Sequence, residues 1–116
     1  MNEISISELM NLDSSSVIID IRDNYKYNLG KISNAINVPV NFLLTNPKNY
    51  ISMGQKYYIY CDYGYKSKAV CERLIKLGYD VVNVLEGYNG YLLYKHKKNI
   101  DWFYIFLRFV LLTKNI

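Results

Sequence analysis

The stretch Tyr57-Tyr58-Ile59-Tyr60-Cys61-Asp62-Tyr63-Gly64-Tyr65-Lys66-Ser67 passes from an apolar run through a glycine-bearing loop into an amphipathic helical pattern from Lys68 to Leu77. A continuous apolar run of this length, without alternation, reads as a strand buried on both faces. Cys61 therefore falls at a strand's carboxyl end, where sheets of this kind gather their reacting groups. The successive N–H groups of such a loop point inward as a nest, and the helix N-terminus adds roughly half a positive charge. Both favour thiolate over thiol, and Lys66 and Lys68 place full positive charges nearby. The residues read as an anion cradle, Asp62, Tyr63, Gly64, Tyr65, Lys66 and Ser67, with Cys61 as the nucleophile at its base. Ser67 has two readings, a hydroxyl donor or the cap of the helix.

Outward from this stretch, Val17-Ile18-Ile19-Asp20-Ile21 and Val81-Val82-Asn83-Val84-Leu85 repeat the apolar pattern. Ser5-Ile6-Ser7-Glu8 carries a capping box that predicts a short helix through Leu12. Asn24 to Leu29 and Val40 to Leu44 are long enough for helices, and Gly78 is the expected C-cap of the helix after the cysteine loop. On that helix Val70, Cys71, Leu74 and Leu77 form the inward stripe, with Glu72, Arg73 and Lys76 toward water. The strand-helix-strand rhythm predicts an α/β fold, a three-layer α/β/α sandwich around a central parallel sheet.

At 116 residues and 51% hydrophobic content the chain is expected to bury one core. Its two cysteines lie ten positions apart, on a loop and part-way down the next helix, too far for a disulfide, and Cys71 reads as a packing residue. Met1-Asn2-Glu3 is acidic and no apolar run of signal length follows, so the expected compartment is reducing, with the cytoplasm as default. With one histidine and no Cys-x-x-Cys pair, no metal site is expected. The formal charge of +4 comes from fourteen basic residues scattered among ten acidic ones, an arrangement that argues against nucleic acid as a partner. The thirteen tyrosines belong to a compositional bias that runs through the whole chain.

Asp20-Ile21-Arg22-Asp23, Tyr27, Gly30-Lys31-Ile32, Ala35-Ile36-Asn37-Val38-Pro39, the Cys61 loop and Leu85-Glu86-Gly87-Tyr88 follow one another in an order that resembles a single-domain rhodanese, the sulfurtransferase family. The resemblance spans most of residues 4 to 94. It departs from the family at Lys31, where His is frequent, at Tyr88 or a deletion beside it, where a second Gly is frequent, and at Tyr91, where Trp is frequent. These positions shape packing more than chemistry. The resemblance implies a Cys61 persulfide, filled by thiosulfate or a donor protein persulfide and emptied by a thiol or cyanide, without a cofactor. It also implies that Asp20 and Arg22 brace the active loop by hydrogen bonds; the alternative is a surface ion pair.

Two rivals bear on the same loop. A phosphatase or arsenate reductase places five residues and then an Arg after its cysteine, to grip an oxyanion bidentately. Here that position is Ser67 and the basic residue, Lys66, comes one earlier, so the shorter cradle suits a single sulfur. A non-catalytic rhodanese-like binding or sulfur-carrier module is the other rival, and retention of Cys61 argues against it.

Residues 1–96 form the expected rhodanese-like domain, and 97–116 a hydrophobic helical extension outside the resemblance. Ile100 to Leu112 is apolar nearly throughout, short of the roughly 20 residues that span a bilayer. Basic Lys95 to Lys98 before it and Lys114 after it would suit an interfacial helix. The favoured expectation is cover by the domain's own flank or by a second copy in a homodimer, with a membrane surface as the lesser alternative.

Overall fold

The computed structural model describes residues 2–114. Its order is β1 (Glu3–Ile4), α1 (Ile6–Met10), β2 (Val17–Asp20), α2 (Asn24–Leu29), β3 (Ile36–Asn37), α3 (Val40–Thr45), a 3-10 turn (Pro47–Asn49), β4 (Lys56–Tyr60), α4 (Tyr65–Lys76), β5 (Asp80–Val84) and α5 (Gly87–Thr113). All strands are parallel, in the order β1-β5-β4-β2-β3. The three strands expected from apolar runs, β2, β4 and β5, occupy the middle of the sheet.

Alternation along those strands divides the core between two faces. Ile19, Tyr57, Ile59 and Val81 point to one, where they meet Leu43 of α3 and Val70, Cys71 and Leu74 of α4. Ile18, Tyr60 and Val84 point to the other, against Ile6 and Leu9 of α1 and Tyr91 of α5. The result is the three-layer sandwich read from the sequence. Ile59 and Leu74 are fully buried, and each contributes about 1.5–3 kcal/mol by leaving water.

Local chemistry sets the helix boundaries. Ser5 Oγ accepts the Glu8 N–H at 3.1 Å while Glu8 returns a carboxylate to the Ser5 N–H, closing the predicted capping box. Asp23 caps α2 by accepting the Lys26 N–H at 2.9 Å. At the end of α4, Gly78 takes φ +98 and follows the cap, Leu77. Its N–H donates to the Ile75 carbonyl and that of Tyr79 to Leu74, a Schellman motif, so Gly78, the expected cap, stands one place beyond the actual one.

Several expectations shift. Helix α1 stops at Met10 instead of Leu12, and α4 begins at Tyr65, three residues before its apolar periodicity starts. Leu77, read as part of the inward stripe, is 53% exposed because the helix ends there before the stripe returns to the core. The boundary drawn between residues 96 and 97 falls inside one continuous helix, α5, of 27 residues. Beyond residue 94 that helix does not fold over the domain's flank. Only Gly87, Gly90 and Tyr91 of it are buried, and every residue from 95 to 109 is exposed. No glycine or proline follows Gly90 within it, so nothing bends it back, and the molecule extends to 64 × 28 × 22 Å.

Candidate active site around Cys61

Strand β4 delivers Cys61 to the carboxyl edge of the sheet, where the thiol is 4% exposed. Asp62, Tyr63 and Gly64 then turn the chain into α4. The N–H groups of Gly64 and Ser67 both donate to the Cys61 sulfur at 3.2 Å. The sulfur thus receives two backbone donors at a helix N-terminus, an electropositive setting. Gly64 reaches this geometry with φ +95, and a Cβ there would meet the Glu86 backbone nitrogen at 3.0 Å.

Behind the sulfur lies a buried polar relay. The Cys61 thiol donates to Ser67 Oγ at 3.2 Å, the Ser67 hydroxyl donates to Asn83 Oδ1 at 2.6 Å, and Asn83 Nδ2 donates to the Gly64 carbonyl at 3.2 Å. Ser67 and Asn83 are 0% and 1% exposed. Ser67 is therefore inside α4, whose N-cap is Gly64, and the capping reading of its side chain gives way to the hydroxyl reading.

Helix α5 fixes the loop from the other side. The Tyr88 N–H donates to the Cys61 carbonyl at 2.8 Å and the Asn89 N–H to that of Asp62 at 2.9 Å. Free N–H groups at a helix start are thus spent on the two carbonyls flanking the loop's first peptide bond. Gly87 permits the approach, since a Cβ there would strike the Cys61 carbonyl oxygen and lie 2.9 Å from the Asp62 carbonyl carbon.

Asp20 and Arg22 supply a third support. Asp20 is fully buried, and Arg22 Nε and Nη2 grip its carboxylate bidentately, at 2.7 Å for the Nη2 contact. The Tyr60 hydroxyl donates to the same carboxylate at 2.6 Å, and Arg22 Nη2 also donates to the Gly30 carbonyl. Tyr88 lies under the guanidinium, 4.0 Å from ring centroid to Cζ. Burial opposes the Arg22 charge, but the hydrogen bond to Asp20 and its negative charge outweigh that, holding the guanidinium above its ordinary value. Burial, with the bond to Asp20, likewise raises the Tyr60 phenol. This is an interior brace and not a surface ion pair. From it Arg22 Nη1 reaches to 4.0 Å from the Asp62 carboxylate, while Lys26 Nζ donates to Asp62 at 2.9 Å. That bond raises the exposed Lys26 ammonium above its usual value.

An open cavity of ≈ 440 Å³ lies over Cys61, lined by Arg22, Lys26, Pro39, Val40, Asp62, Tyr63, Tyr65 and Lys66 among others. The structure thus brings Cys61, Asp62, Tyr63, Tyr65, Lys66 and Arg22 to one cavity, with Gly64 and Ser67 beneath the sulfur and Asp20 behind Arg22. Lys66 stands in the first turn of α4 instead of the loop. Cys71 lies in the core, where burial pushes its thiol up to about 12. Among the described residues no group of three or more His, Cys, Asp or Glu side chains is placed to hold a metal.

Four contributors escaped the sequence reading. Asn83 had a signal, a lone amide in an otherwise apolar strand run. Tyr60 had none among thirteen tyrosines. Nor did Lys26, whose partner is 36 residues away, or Asn37, whose amide donates to the carbonyls of Asp20 and Arg22.

The Rhodanese-like domain model matches residues 5–93. A rhodanese-related protein from Thermoplasma volcanium is 27% identical with a TM-score of 0.73, over 79% of this chain and 91% of that one. A rhodanese-like domain protein from Staphylococcus aureus is 30% identical with a TM-score of 0.70, over 78% and 90%. A Rhodopseudomonas palustris protein described as a possible tyrosine phosphatase shares the fold at 20% identity and a TM-score of 0.63, over 76% of each chain. No curated protein sequence matches the chain.

Proposed function

Because the chain belongs to the rhodanese-like domain family, we propose that it is a sulfurtransferase working through a Cys61 persulfide. The observation that carries this reading is the pair of N–H groups, from Gly64 and Ser67, aimed at one sulfur. The Cys61 thiolate attacks the outer sulfur of thiosulfate or of a donor protein persulfide. The donor's S–S bond breaks, and sulfite or the donor thiolate leaves with the electron pair. The resulting Cys61-S-S⁻ gives its terminal sulfur to an attacking thiolate or cyanide, which restores the Cys61 thiolate. A helix's first N–H groups have no intrahelical acceptor, and with that of Ser67 on the sulfur, those of Tyr65 and Lys66 are suited to a negative terminal sulfur in the cavity. Lys66 draws in an anionic donor. No cofactor or metal takes part, and the reducing cytoplasm suits a cycle that needs a free thiol.

The test is intact mass after incubation with thiosulfate, with wild type expected to gain one sulfur atom on Cys61. Cys61→Ser abolishes this gain and the turnover to thiocyanate, and Cys71→Ser largely preserves both. Unchanged turnover in Cys61→Ser overturns the reading. Hydrolysis of an aryl phosphate at a comparable rate would move the activity to phosphatase chemistry.

A further inference from the structure

The whole formal charge of the chain sits on the distal part of α5 and its C-cap, Lys114. Residues 95–114 carry five basic side chains, Lys95, Lys97, Lys98, Arg108 and Lys114, against one acid, Asp101, so they account for the full +4. The rest of the chain balances nine basic residues against nine acidic ones. The same stretch holds the largest run of exposed apolar side chains. Trp102 is 65% exposed, Phe106 48% and Phe109 64%, with Trp102 and Phe106 stacked at 5.4 Å.

The polar residues within the apolar stretch share one side of the helix, whereas Lys95, two turns before Trp102, lies on the apolar side. Lys97, Asp101, Tyr104 and Arg108 follow at steps of four, three and four residues and form one narrow stripe. Gly90 is on the same line, exactly five helical turns before Arg108 at 3.6 residues per turn. Gly90 packs on the domain, where a Cβ would meet Ile6 Cγ1 at 3.3 Å. The polar stripe therefore continues the side of α5 that carries the domain. Trp102, Phe106 and Phe109, with Phe103 and Val110, occupy the opposite side.

A second copy of the helix would cover one stripe of an apolar arc that takes up most of the circumference. A fluid apolar phase covers it all, and anionic headgroups complement the lysines at the two ends of the stretch. No described helix is long and apolar enough to cross a membrane, which fixes the geometry as in-plane. We propose that residues 95–114 seat the protein on the surface of an anionic phospholipid bilayer. The Trp102, Phe106 and Phe109 side sinks among the acyl chains. Lys97, Asp101, Tyr104 and Arg108 stay toward water, on the side where the domain stands.

Trp102 is the chain's single tryptophan and reports directly on the proposed contact. The full-length protein is mixed with vesicles of phosphatidylcholine alone or with phosphatidylglycerol added. The expected result is flotation and a blue shift of Trp102 emission with the anionic vesicles only. Replacing Lys95, Lys97 and Lys98 by Gln should weaken partitioning by about a hundredfold, at roughly fivefold per lysine. Phe106→Glu should abolish flotation without moving the melting temperature, because the side chain touches no core residue. Failure to float with anionic vesicles overturns the proposal, as does equal binding to neutral ones. So does a concentration-dependent dimer by light scattering whose Trp102 emission is already blue-shifted without lipid. None of these readouts depends on sulfur transfer.

Discussion

Asn83→Leu tests whether the buried relay sets the cradle. The substitution keeps the branched shape and deletes two hydrogen bonds, the acceptor for Ser67 at 2.6 Å and the donor to the Gly64 carbonyl at 3.2 Å. A buried hydrogen bond contributes about 1 kcal/mol net, and an orphaned partner costs about 1–3 kcal/mol. Neither partner is wholly orphaned here. The Gly64 carbonyl still accepts the Lys68 N–H at 3.2 Å, and the Ser67 hydroxyl can turn to the Cys61 sulfur at 3.2 Å. The loss should therefore fall at the low end, about 2 kcal/mol, or about 10 °C in melting temperature for a domain of this size. Persulfide formation should slow by about tenfold, the equivalent of one weakened hydrogen bond to the reacting sulfur. Urea denaturation followed by circular dichroism gives the first quantity and single-turnover mass spectrometry the second. A stability change below about 0.5 kcal/mol would show that the relay does not hold the loop. A full stability loss with an unchanged rate would show that Asn83 supports the fold and not the cradle.

Asp20→Asn leaves the Arg22 guanidinium, with 3% of its side chain exposed, without its counter-charge, and should cost about 3–5 kcal/mol in urea denaturation. A loss under about 1 kcal/mol would contradict the brace. Gly87→Ala drives a Cβ into the Cys61 carbonyl at φ +55 and should slow persulfide formation by about tenfold to a hundredfold in a folded protein; a wild-type rate would refute this. Alkaline pH provides another check. The Cys71 thiol, raised from 9.0 to about 12, and the raised Tyr60 phenol keep protons in the folded state that the unfolded chain gives up. Their stabilisation is complete below about pH 9 and falls above about pH 9 for Cys71 and above about pH 10 for Tyr60, by about 1.4 kcal/mol per pH unit for each group. A urea midpoint that holds steady from pH 8 to 11 would contradict that. Iodoacetamide at pH 8 should label Cys61 and spare Cys71 in the folded protein, as peptide mass mapping would report.

The central strands and α4 were legible because each carries its own period. Val17 to Ile19 and Tyr57 to Tyr60 are apolar without interruption, and Val70, Cys71 and Leu74 return to one face. The edge strands Glu3–Ile4 and Ile36–Asn37 are two residues each, too short for any period, and exist because β5 and β2 offer them unpaired edges. Tyr65 and Lys66 open α4 with exposed side chains, so its start was set by Gly64's φ and the sulfur's demand for N–H donors, neither visible as hydrophobicity. The cysteine loop at the carboxyl end of β4 was legible from its own residues. Its supports were less so, because they act across distance: Tyr60 reaches Asp20 over 40 positions and Ser67 reaches Asn83 over 16. The tail was legible as an apolar helix, whereas its failure to dock depends on where α5 leaves the domain.

That exit makes α5 a rigid arm. Its first turn grips the backbone of Cys61 and Asp62, and fifteen residues later the same uninterrupted helix presents Trp102, about 22 Å along its axis. Orientation is therefore transmitted from one end to the other. Whatever anchors the far end also sets the height and tilt at which the mouth of the cysteine cavity meets an incoming sulfur carrier. Inserting residues between Lys95 and Asp101 would change that stand-off by 1.5 Å each and rotate the mouth by about 100°, without touching a single residue of the cradle.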